Sequence, residues 1–439
     1  MTRPPDKHLN LNVRGMGHSA TVAINEHCNA LLAEGREVYK LGLGQSPFPV
    51  PRPVVAALQS HAGEKDYLPV RGLYDLRRAV ARYTERHAGI DRTADDVLIG
   101  PGSKELMFLL QLVFYGELVI PTPAWGSYAP QARIIGRAVR LVPTRREDDW
   151  MITPDGLEAV CAEDSDRPRV VILNYPSNPT GGTFKIDQLK ALARVARRYK
   201  VLLLSDEIYG ELHHKGQHVS IARYYPEGTI ISAGLSKWCG AGGWRLGTFV
   251  FPEHLRWLLD AMGAVASETY TSTSAPIQYA GITAFDGSEE IDSYLRNSRR
   301  ILSALGRWCA RKLRAVGIDC PQPYGGFYLF PDFSHLAVEL AERGLLTSPD
   351  VCEHLLSTSG VAILPGTVFG RPPEELTARL AYVDFDGDRA LRAVDVIPRE
   401  QPLDDTFIRH HCPRVVSAVE ALCRWSEEVA AEAPPAASP

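Results

Sequence analysis

The chain has 439 residues, 45% of them hydrophobic and 23% charged, a composition typical of globular proteins with about two to three domains. Its formal charge of −4 argues against a general nucleic-acid binder, and the absence of a long apolar run argues against a transmembrane helix. Eight cysteines without a CxxC pair argue against a disulfide framework. Because the N-terminus also lacks the apolar core of a secretory signal, we expect a reducing, cytoplasmic location.

Short apolar runs alternate with longer amphipathic stretches from about residue 95. Strands are predicted at 96–100, 117–121, 168–176, 201–207, 229–234 and 246–251, and helices at 104–115, 126–136 and 184–200. This alternation predicts an α/β fold with a mostly parallel sheet buried on both faces by helices. Ligands of such sheets bind at the carboxyl ends of the strands, so we expect the polar residues there to converge.

The pattern of predicted helices and strands changes beyond residue 285. An Arg-rich helix is predicted at about 289–316, followed by a mixture of helices and a few short strands. This pattern predicts a large domain at 51–288 and a smaller α+β domain at 289–431. Residues 1–50 are expected to pack on the small domain or on a partner subunit. The Ala/Pro-rich segment 432–439 predicts a disordered tail.

Two polar segments at predicted strand ends are candidates for ligand binding. Ser103 and Lys104 open a helix whose free N–H groups favour an anion such as phosphate, although an ordinary helix start looks the same. Asp206 ends an apolar strand, where a carboxylate needs a partner. That partner could be a helix N-terminus, an ion pair in the core, or the protonated nitrogen of a pyridine ring.

Lys237 lies in a small-residue turn between two predicted strands, beside Trp238 and Trp244. A lysine that is partly desolvated there has a lowered pKa and can form a Schiff base; a surface lysine is the alternative. Arg245, eight residues later, is a candidate for a bidentate phosphate contact or for an ordinary surface ion pair. The tandem histidines at 213–214 and 410–411 lack HExxH spacing, so no metal site is predicted.

The segment GLSKWCGAGGWRLG (234–247) resembles the lysine signature of the class I/II pyridoxal-phosphate-dependent aminotransferases of fold type I, and SNPTG and SDEIY are similar to other segments of that family. The segments LPVRGLYDLR, GGFYLF and PGTVFG are similar to the prokaryotic-type aspartate/prephenate aminotransferase branch. The resemblance extends from about residue 10 to 385. It implies a seven-stranded large-domain sheet, pyridoxal 5′-phosphate as cofactor, and a homodimer with a shared active site.

The resemblance also assigns roles around the cofactor ring. Lys237 is implied as the Schiff-base lysine and proton carrier, and Asp206 as the partner of the pyridine nitrogen. Tyr209 and Asn178 are implied to bond to the ring hydroxyl, and Trp125 to stack on the ring.

Phosphate and substrate contacts are implied in the same way. The residues implied around the phosphate are Ser103, Lys104, Ser236 and Arg245. Tyr67 matches a tyrosine that reaches the phosphate of the neighbouring subunit. Arg379 matches the arginine that binds the substrate α-carboxylate, and Gly44 lines the same pocket.

The branch that this chain resembles uses a lysine at the position of Lys104 to bind a distal carboxylate. This implies aspartate or glutamate as amino donor and 2-oxoglutarate as acceptor, unless Lys104 serves only the phosphate. The loop GQSPF (44–48) departs from the family's GEPDF, and about twenty extra residues follow Asp384. Another enzyme on the same scaffold (a β-lyase, decarboxylase or amino-acid oxidase) is the alternative. A regulator would need a basic DNA-binding domain, against which the short N-terminal segment and the net charge argue.

Overall fold

The computed structural model describes residues 8–431; residues 1–7 and the predicted tail at 432–439 lie outside this range. The described residues form fifteen α-helices and twelve β-strands, with short 3₁₀ turns between them. None of the helices in this range is both long and apolar enough to cross a membrane.

The strands are β1 (Tyr39–Lys40), β2 (Val97–Gly100), β3 (Glu117–Thr122), β4 (Val139–Pro143), β5 (Arg169–Asn174), β6 (Leu202–Asp206), β7 (Thr229–Gly234), β8 (Gly247–Val250), β9 (Tyr328–Leu329), β10 (Val361–Ala362), β11 (Leu364–Pro365) and β12 (Ala378–Ala381). The helices are α1 (Ala20–Ala33), α2 (Arg52–Ser60), α3 (Tyr74–Ala88), α4 (Ser103–Val113), α5 (Tyr128–Ile134), α6 (Pro154–Ala162), α7 (Ile186–Arg198), α8 (Arg256–Thr269), α9 (Ala275–Asp286), α10 (Glu289–Ala315), α11 (Ala337–Glu342), α12 (Ser348–Ser359), α13 (Gly387–Asp395), α14 (Asp405–His411) and α15 (Pro413–Ala431).

Seven strands form the central sheet in the order β2-β8-β7-β6-β5-β3-β4. Strands β3 to β7 pair in parallel, and β8 runs antiparallel to both of its neighbours. The prediction of a mostly parallel, seven-stranded sheet is therefore confirmed. Its inner strands are buried on both faces, which explains their continuous apolar sequences.

Strand β4 is the member of the sheet that the sequence did not predict. It lies at the sheet edge and is only partly buried, with Leu141 46% exposed. Because an edge strand packs fewer of its side chains, it mixes apolar with charged residues and lacks the continuous apolar run of its neighbours.

Helices cover both faces of the sheet. On α7, Leu189, Leu192 and Ala196 share one apolar face and are buried in one cluster with Leu203 of β6. The next residue along that strand, Leu204, belongs to a second cluster on the other face, together with side chains of α4 and α8. The alternation of side chains along β6 thus places successive residues in opposite cores.

Two small sheets lie outside the central sheet, and one of them joins the N-terminal segment to the C-terminal part of the chain. Strands β11, β12 and β9 form an antiparallel sheet, and β1 of the N-terminal segment pairs in parallel with β10. Asn12 of the same segment donates a hydrogen bond to the carbonyl of Ile134 on α5. One apolar cluster contains both Val80 of α3 and Leu302 of α10. The division of the chain at residue 288 therefore stays a prediction.

The residues after Asp384 form α13 and α14 before the last helix. Phe385 packs edge-to-face on Phe48, with ring centroids 5.9 Å apart. A Cβ on Gly387 would lie 2.2 Å from the carbonyl oxygen of Pro47, so only glycine permits this close approach. The extra residues therefore pack against the GQSPF loop, whose first residue, Gly44, lines the cavity described next.

Candidate active site

A cavity of about 570 Å³ lies at the carboxyl ends of β5, β6 and β7. It is lined by every predicted site residue except Tyr67, namely Gly44, Ser103, Lys104, Trp125, Asn178, Asp206, Tyr209, Ser236, Lys237, Arg245 and Arg379. The expected convergence of polar residues at this sheet edge is therefore observed. Tyr67 is 89% exposed at the surface of the single chain.

One end of the cavity collects groups that bind anions. Helix α4 begins at Ser103 with its free N–H groups, and the Arg245 guanidinium lies next to it. Arg245 donates hydrogen bonds to the carbonyls of Gly242 (2.9 Å) and Pro101 (3.3 Å). A Cβ on Gly102 would lie 2.1 Å from Arg245 Nη2, so the glycine allows the guanidinium to reach the helix start.

Lys237 lies in the turn after β7. Its Nζ donates a hydrogen bond of 2.7 Å to the carbonyl of Gly44. Burial, together with the nearby positive charges of Arg379 and Arg245, lowers the pKa of Lys237 to about 8, while Asp206 acts in the opposite direction. A substantial fraction of this amine is therefore neutral, and so nucleophilic, at mildly alkaline pH.

Asp206 ends β6 and is buried. Burial raises the pKa of its carboxyl to about 6. Tyr128 donates a hydrogen bond of 2.5 Å to Oδ2, and the Ser232 hydroxyl and the Ile208 N–H lie 3.4 Å from Oδ1. Sequence reasoning missed Tyr128, although its position three residues after Trp125 could have placed it one helical turn away.

Arg379 lies on β12 and is buried. Its guanidinium stacks between the rings of Tyr328 (4.8 Å to the centroid) and Phe369 (4.9 Å). Nη1 donates to Asn178 Oδ1 at 3.0 Å, and Nη2 donates to the carbonyl of Gly42. Among the described residues, Nε has no hydrogen-bond partner. A buried donor without a partner is suited to a ligand carboxylate.

Tyr328 is a second residue that the sequence did not single out. Its hydroxyl lies 2.7 Å from the hydroxyl of Tyr209, so the two phenols share a hydrogen bond. A Cβ on Gly44 would lie 2.0 Å from the Tyr328 hydroxyl. The close approach of Tyr328 is therefore the physical reason for glycine at position 44.

Lys104 and Trp125 form another part of the cavity wall. The Lys104 ammonium lies 5.1 Å from the centroid of the Trp125 ring. Burial lowers the pKa of Lys104, and the charge of Arg245 adds to that effect. The Trp125 ring meets Tyr128 edge-on, with centroids 5.2 Å apart. This corner of the cavity combines a cation with an aromatic surface.

The chain belongs to a known protein family, because the family model described as "Aminotransferase class I and II" matches residues 36–390. The chain is 33% identical to an aspartate aminotransferase of Geobacillus stearothermophilus over 379 residues, covering 84% of this chain and 93% of that one. It is 31% identical to an aspartate/prephenate aminotransferase of Thermus thermophilus over 369 residues, covering 82% and 91%.

The fold comparison agrees with the sequence comparison. The structure of the aspartate aminotransferase from Thermus thermophilus with maleate superposes with a TM-score of 0.82 at 27% identity, covering 95% of this chain and 100% of that chain. The protein is thus a pyridoxal 5′-phosphate-dependent aminotransferase, related to the aspartate/prephenate branch.

The residues present fit this cofactor on structural grounds. The cavity volume lies within the range of roughly 300–1,000 Å³ that small-molecule sites occupy. The cavity offers an anion-binding end at Ser103 and Arg245, a buried amine at Lys237, and a buried carboxylate at Asp206. These are the groups that a phosphate, an aldehyde and a pyridine nitrogen require.

Proposed function

We propose that this aminotransferase uses a dicarboxylic amino acid, aspartate or glutamate, as amino donor and 2-oxoglutarate as acceptor. The observation that carries the proposal is that the cavity wall contains Arg379 and Lys104 in addition to Lys237 and Arg245, which are proposed to serve the cofactor. A dicarboxylic substrate has two carboxylates, one for Arg379 and one for Lys104. The names of the relatives, aspartate aminotransferase and aspartate/prephenate aminotransferase, support the same substrate class.

In this proposal Arg379 binds the substrate α-carboxylate. Its planar guanidinium is held by the two flanking rings and by Asn178, so it offers a fixed pair of donors. Lys104 binds the distal carboxylate. With both ends of the substrate held, the Cα–H bond has one orientation relative to Lys237, which removes rotational freedom before the reaction.

When bound, pyridoxal 5′-phosphate supplies a carbonyl carbon that bonds to amines and a pyridine ring that takes up electron density from the substrate. Lys237 is the proposed bonding amine, and its Nζ accepts the proton from the substrate Cα and returns it. Asp206 holds a proton at the ring nitrogen. Tyr209 and Asn178 donate to the ring hydroxyl, and Trp125 packs on the ring face.

The phosphate is proposed to bind the donors at the start of α4, with Ser103, Ser236 and Arg245 as side-chain partners. Tyr67 is exposed on the single chain, which agrees with its proposed contribution to the phosphate site of a second copy in a homodimer. All eight cysteines are unpaired thiols, which supports a reducing, cytoplasmic compartment as the proposed location.

The substrate proposal is tested with Lys104→Ser. Loss of one charged hydrogen bond lowers kcat/KM for aspartate by about 10–100-fold, while kcat/KM for alanine stays within about threefold. Lys65→Ser, at an exposed lysine that pairs with Asp66 and lies outside the cavity, is the matched control. An equal loss for both amino acids would show that Lys104 serves the cofactor phosphate instead, and equal activity of both variants would remove Lys104 from the site.

The reaction itself is tested by product analysis together with Lys237→Ala. The wild-type enzyme is expected to form one 2-oxo acid for each amino acid formed, without releasing ammonia or carbon dioxide and without consuming oxygen. Lys237→Ala is expected to lose the visible absorbance band of the bound cofactor and at least about 10³-fold in kcat. Ammonia or carbon dioxide release, or oxygen uptake, in the wild type would contradict amino transfer and favour the lyase, decarboxylase or oxidase alternative.

A further inference from the structure

We propose that Tyr128 is a positioning residue that holds the Asp206 carboxylate in place for the cofactor's ring nitrogen. The inference rests on the proposed pairing of Asp206 with that nitrogen. It adds a residue that lies outside the lysine signature and belongs to a different element, helix α5.

The hydrogen bonds on Asp206 are unequal. Oδ2 receives one short bond of 2.5 Å from the Tyr128 hydroxyl. Among the described residues, Oδ1 has two long contacts, from the Ser232 hydroxyl and from the Ile208 N–H, both at 3.4 Å. A hydrogen bond to an ionised oxygen is stronger when it is short, so Tyr128 provides the dominant bond to this carboxylate.

Tyr128 is itself fixed by packing. It is 2% exposed and belongs to the apolar cluster that contains Ile172 of β5 and Leu204 of β6. Its ring meets that of Trp125 edge-on at 88°. A carboxylate oxygen can accept more than one hydrogen bond, so the Tyr128 bond leaves room for a second donor from the cavity, which both residues line. Tyr128 thus contacts both Trp125, which is proposed to cover the ring face, and Asp206, which is proposed to hold the ring nitrogen.

Several ionisable groups act on Asp206. Burial raises the pKa of the carboxyl most strongly, and the neighbouring Glu207 raises it slightly, whereas the Tyr128 hydrogen bond lowers it. Lys237 and Tyr209 face the same carboxylate across the cavity. Without the Tyr128 hydroxyl, the hydrogen bonds that oppose burial are the two long contacts from Ser232 and Ile208. The carboxyl then binds its own proton at higher pH and holds the ring-nitrogen proton less well.

The test is Tyr128→Phe in the full-length holoenzyme, with Tyr83→Phe as the matched control. Tyr83 is a partly buried tyrosine that likewise donates to a buried carboxylate, Glu211 Oε1 at 2.8 Å, but it lies outside the catalytic cavity. Thermal unfolding checks that both variants are folded. The readouts are the dissociation constant of pyridoxal 5′-phosphate and the ¹⁵N NMR signal of the ring nitrogen in enzyme loaded with ¹⁵N-labelled cofactor.

Loss of the hydroxyl is expected to weaken cofactor binding about tenfold and to shift the loss of the ring-nitrogen proton to lower pH by about one unit. Tyr83→Phe is expected to change neither readout. If the Tyr128 hydroxyl served only the stability of the fold, Tyr128→Phe would lower the unfolding temperature, as Tyr83→Phe does, and would leave the ¹⁵N titration unchanged. That result would overturn the inference.

A separate measurement distinguishes failure of the inference from failure of the proposed function. Carboxyl ¹³C NMR of the cofactor-free chain, with the Asp206 signal assigned by its absence in Asp206→Asn, follows the carboxyl directly. An unchanged Asp206 titration in Tyr128→Phe overturns the role of Tyr128 alone. A shifted Asp206 titration with an unchanged ring-nitrogen signal overturns the pairing of Asp206 with the cofactor, and the inference with it.

Discussion

Two neighbouring carboxylates, Asp206 and Glu207, point to opposite sides of the central sheet and have opposite environments. Asp206 faces the catalytic cavity, and burial raises its pKa to about 6. Glu207 faces a second cavity of about 370 Å³ behind the sheet, where burial raises its pKa but the charge of His218 and several hydrogen bonds outweigh burial and lower it. Its oxygens accept bonds from His218 (2.8 Å), Ser205 (2.7 Å) and Ser220 (2.5 Å).

Two buried arginines, Arg371 and Arg379, also differ in how completely their donors are paired. Arg371 donates a bidentate pair of bonds to Glu375 (2.7 and 2.8 Å) and further bonds to the carbonyls of Thr122 and Thr144. Arg379 retains a buried Nε without a partner among the described residues. Asp206 and Arg379 in the catalytic cavity are thus incompletely paired, whereas Glu207 and Arg371 outside it have several close partners each. Incomplete pairing reduces folding stability but leaves the group free for a ligand.

The largest expected effect comes from Asp206→Asn, which removes the incompletely paired charge. Loss of a preorganised charge at a reacting ligand lowers kcat by about 10²–10³-fold. The cofactor-free variant is expected to be more stable than the wild type at pH 7. A carboxyl whose folded-state pKa is raised from 3.8 to about 6 loses stability as the pH rises through that interval, by about 3 kcal/mol.

Steady-state kinetics and urea unfolding at pH 7 check both parts of this prediction. Glu207→Gln is the matched control, because it removes the adjacent but fully paired carboxylate. We expect that variant to be less stable by about 3 kcal/mol and to keep kcat within about threefold per folded enzyme. If Asp206→Asn were instead the less stable of the two, the contrast between the carboxylates would be wrong.

The next effect is expected from replacing each arginine by lysine. Arg379→Lys loses the planar pair of donors and is expected to lower kcat/KM for amino acids about 10–100-fold, with little change in unfolding temperature. Arg371→Lys is expected to destabilise the chain by about 2 kcal/mol and to leave kcat/KM within about threefold, because Arg371 lies outside the catalytic cavity. Kinetics and thermal unfolding of both variants distinguish these outcomes; equal kinetic losses would contradict the comparison.

The smallest expected effect is the pH dependence of folding stability that Glu211 causes in the cavity behind the sheet. Burial raises the pKa of Glu211, but its interactions with His87, Arg299 and Tyr83 outweigh burial and lower the pKa from 4.5 to about 2. A lowered folded-state pKa gives stability that is present above pH 4.5 and is lost as the pH falls towards 2. Its full size is about 3 kcal/mol, of which only part is lost in the accessible acid range.

Urea unfolding of the wild type and Glu211→Gln at pH 6 and pH 4 measures this effect. The wild type is expected to be more stable at pH 6, and the difference is expected to shrink at pH 4. Asp166→Asn, at a surface carboxylate outside both cavities, is the control and is expected to show no such trend. A difference between the wild type and Glu211→Gln that is independent of pH would contradict the pairing of this carboxylate.

Much of the fold and the site could be predicted from local sequence. The inner strands of the sheet are continuous apolar runs, because both of their faces are buried, and that pattern is visible without any long-range information. The lysine turn at 234–247 and the polar ends of the strands are likewise local features. They were sufficient to predict that Lys237, Asp206 and Arg245 converge, because parallel strands end at one edge.

Other properties were decided only by tertiary structure. Edge strand β4 escaped prediction because it is only partly buried. Tyr128 and Tyr328 contact Asp206 and Tyr209 across 78 and 119 residues of chain, distances over which no local pattern carries information. Asp206 and Glu207 are adjacent acids in the sequence, yet alternation along the strand sends them to opposite faces. The partners on each face, and not the residue type, decide which carboxylate remains available to a ligand.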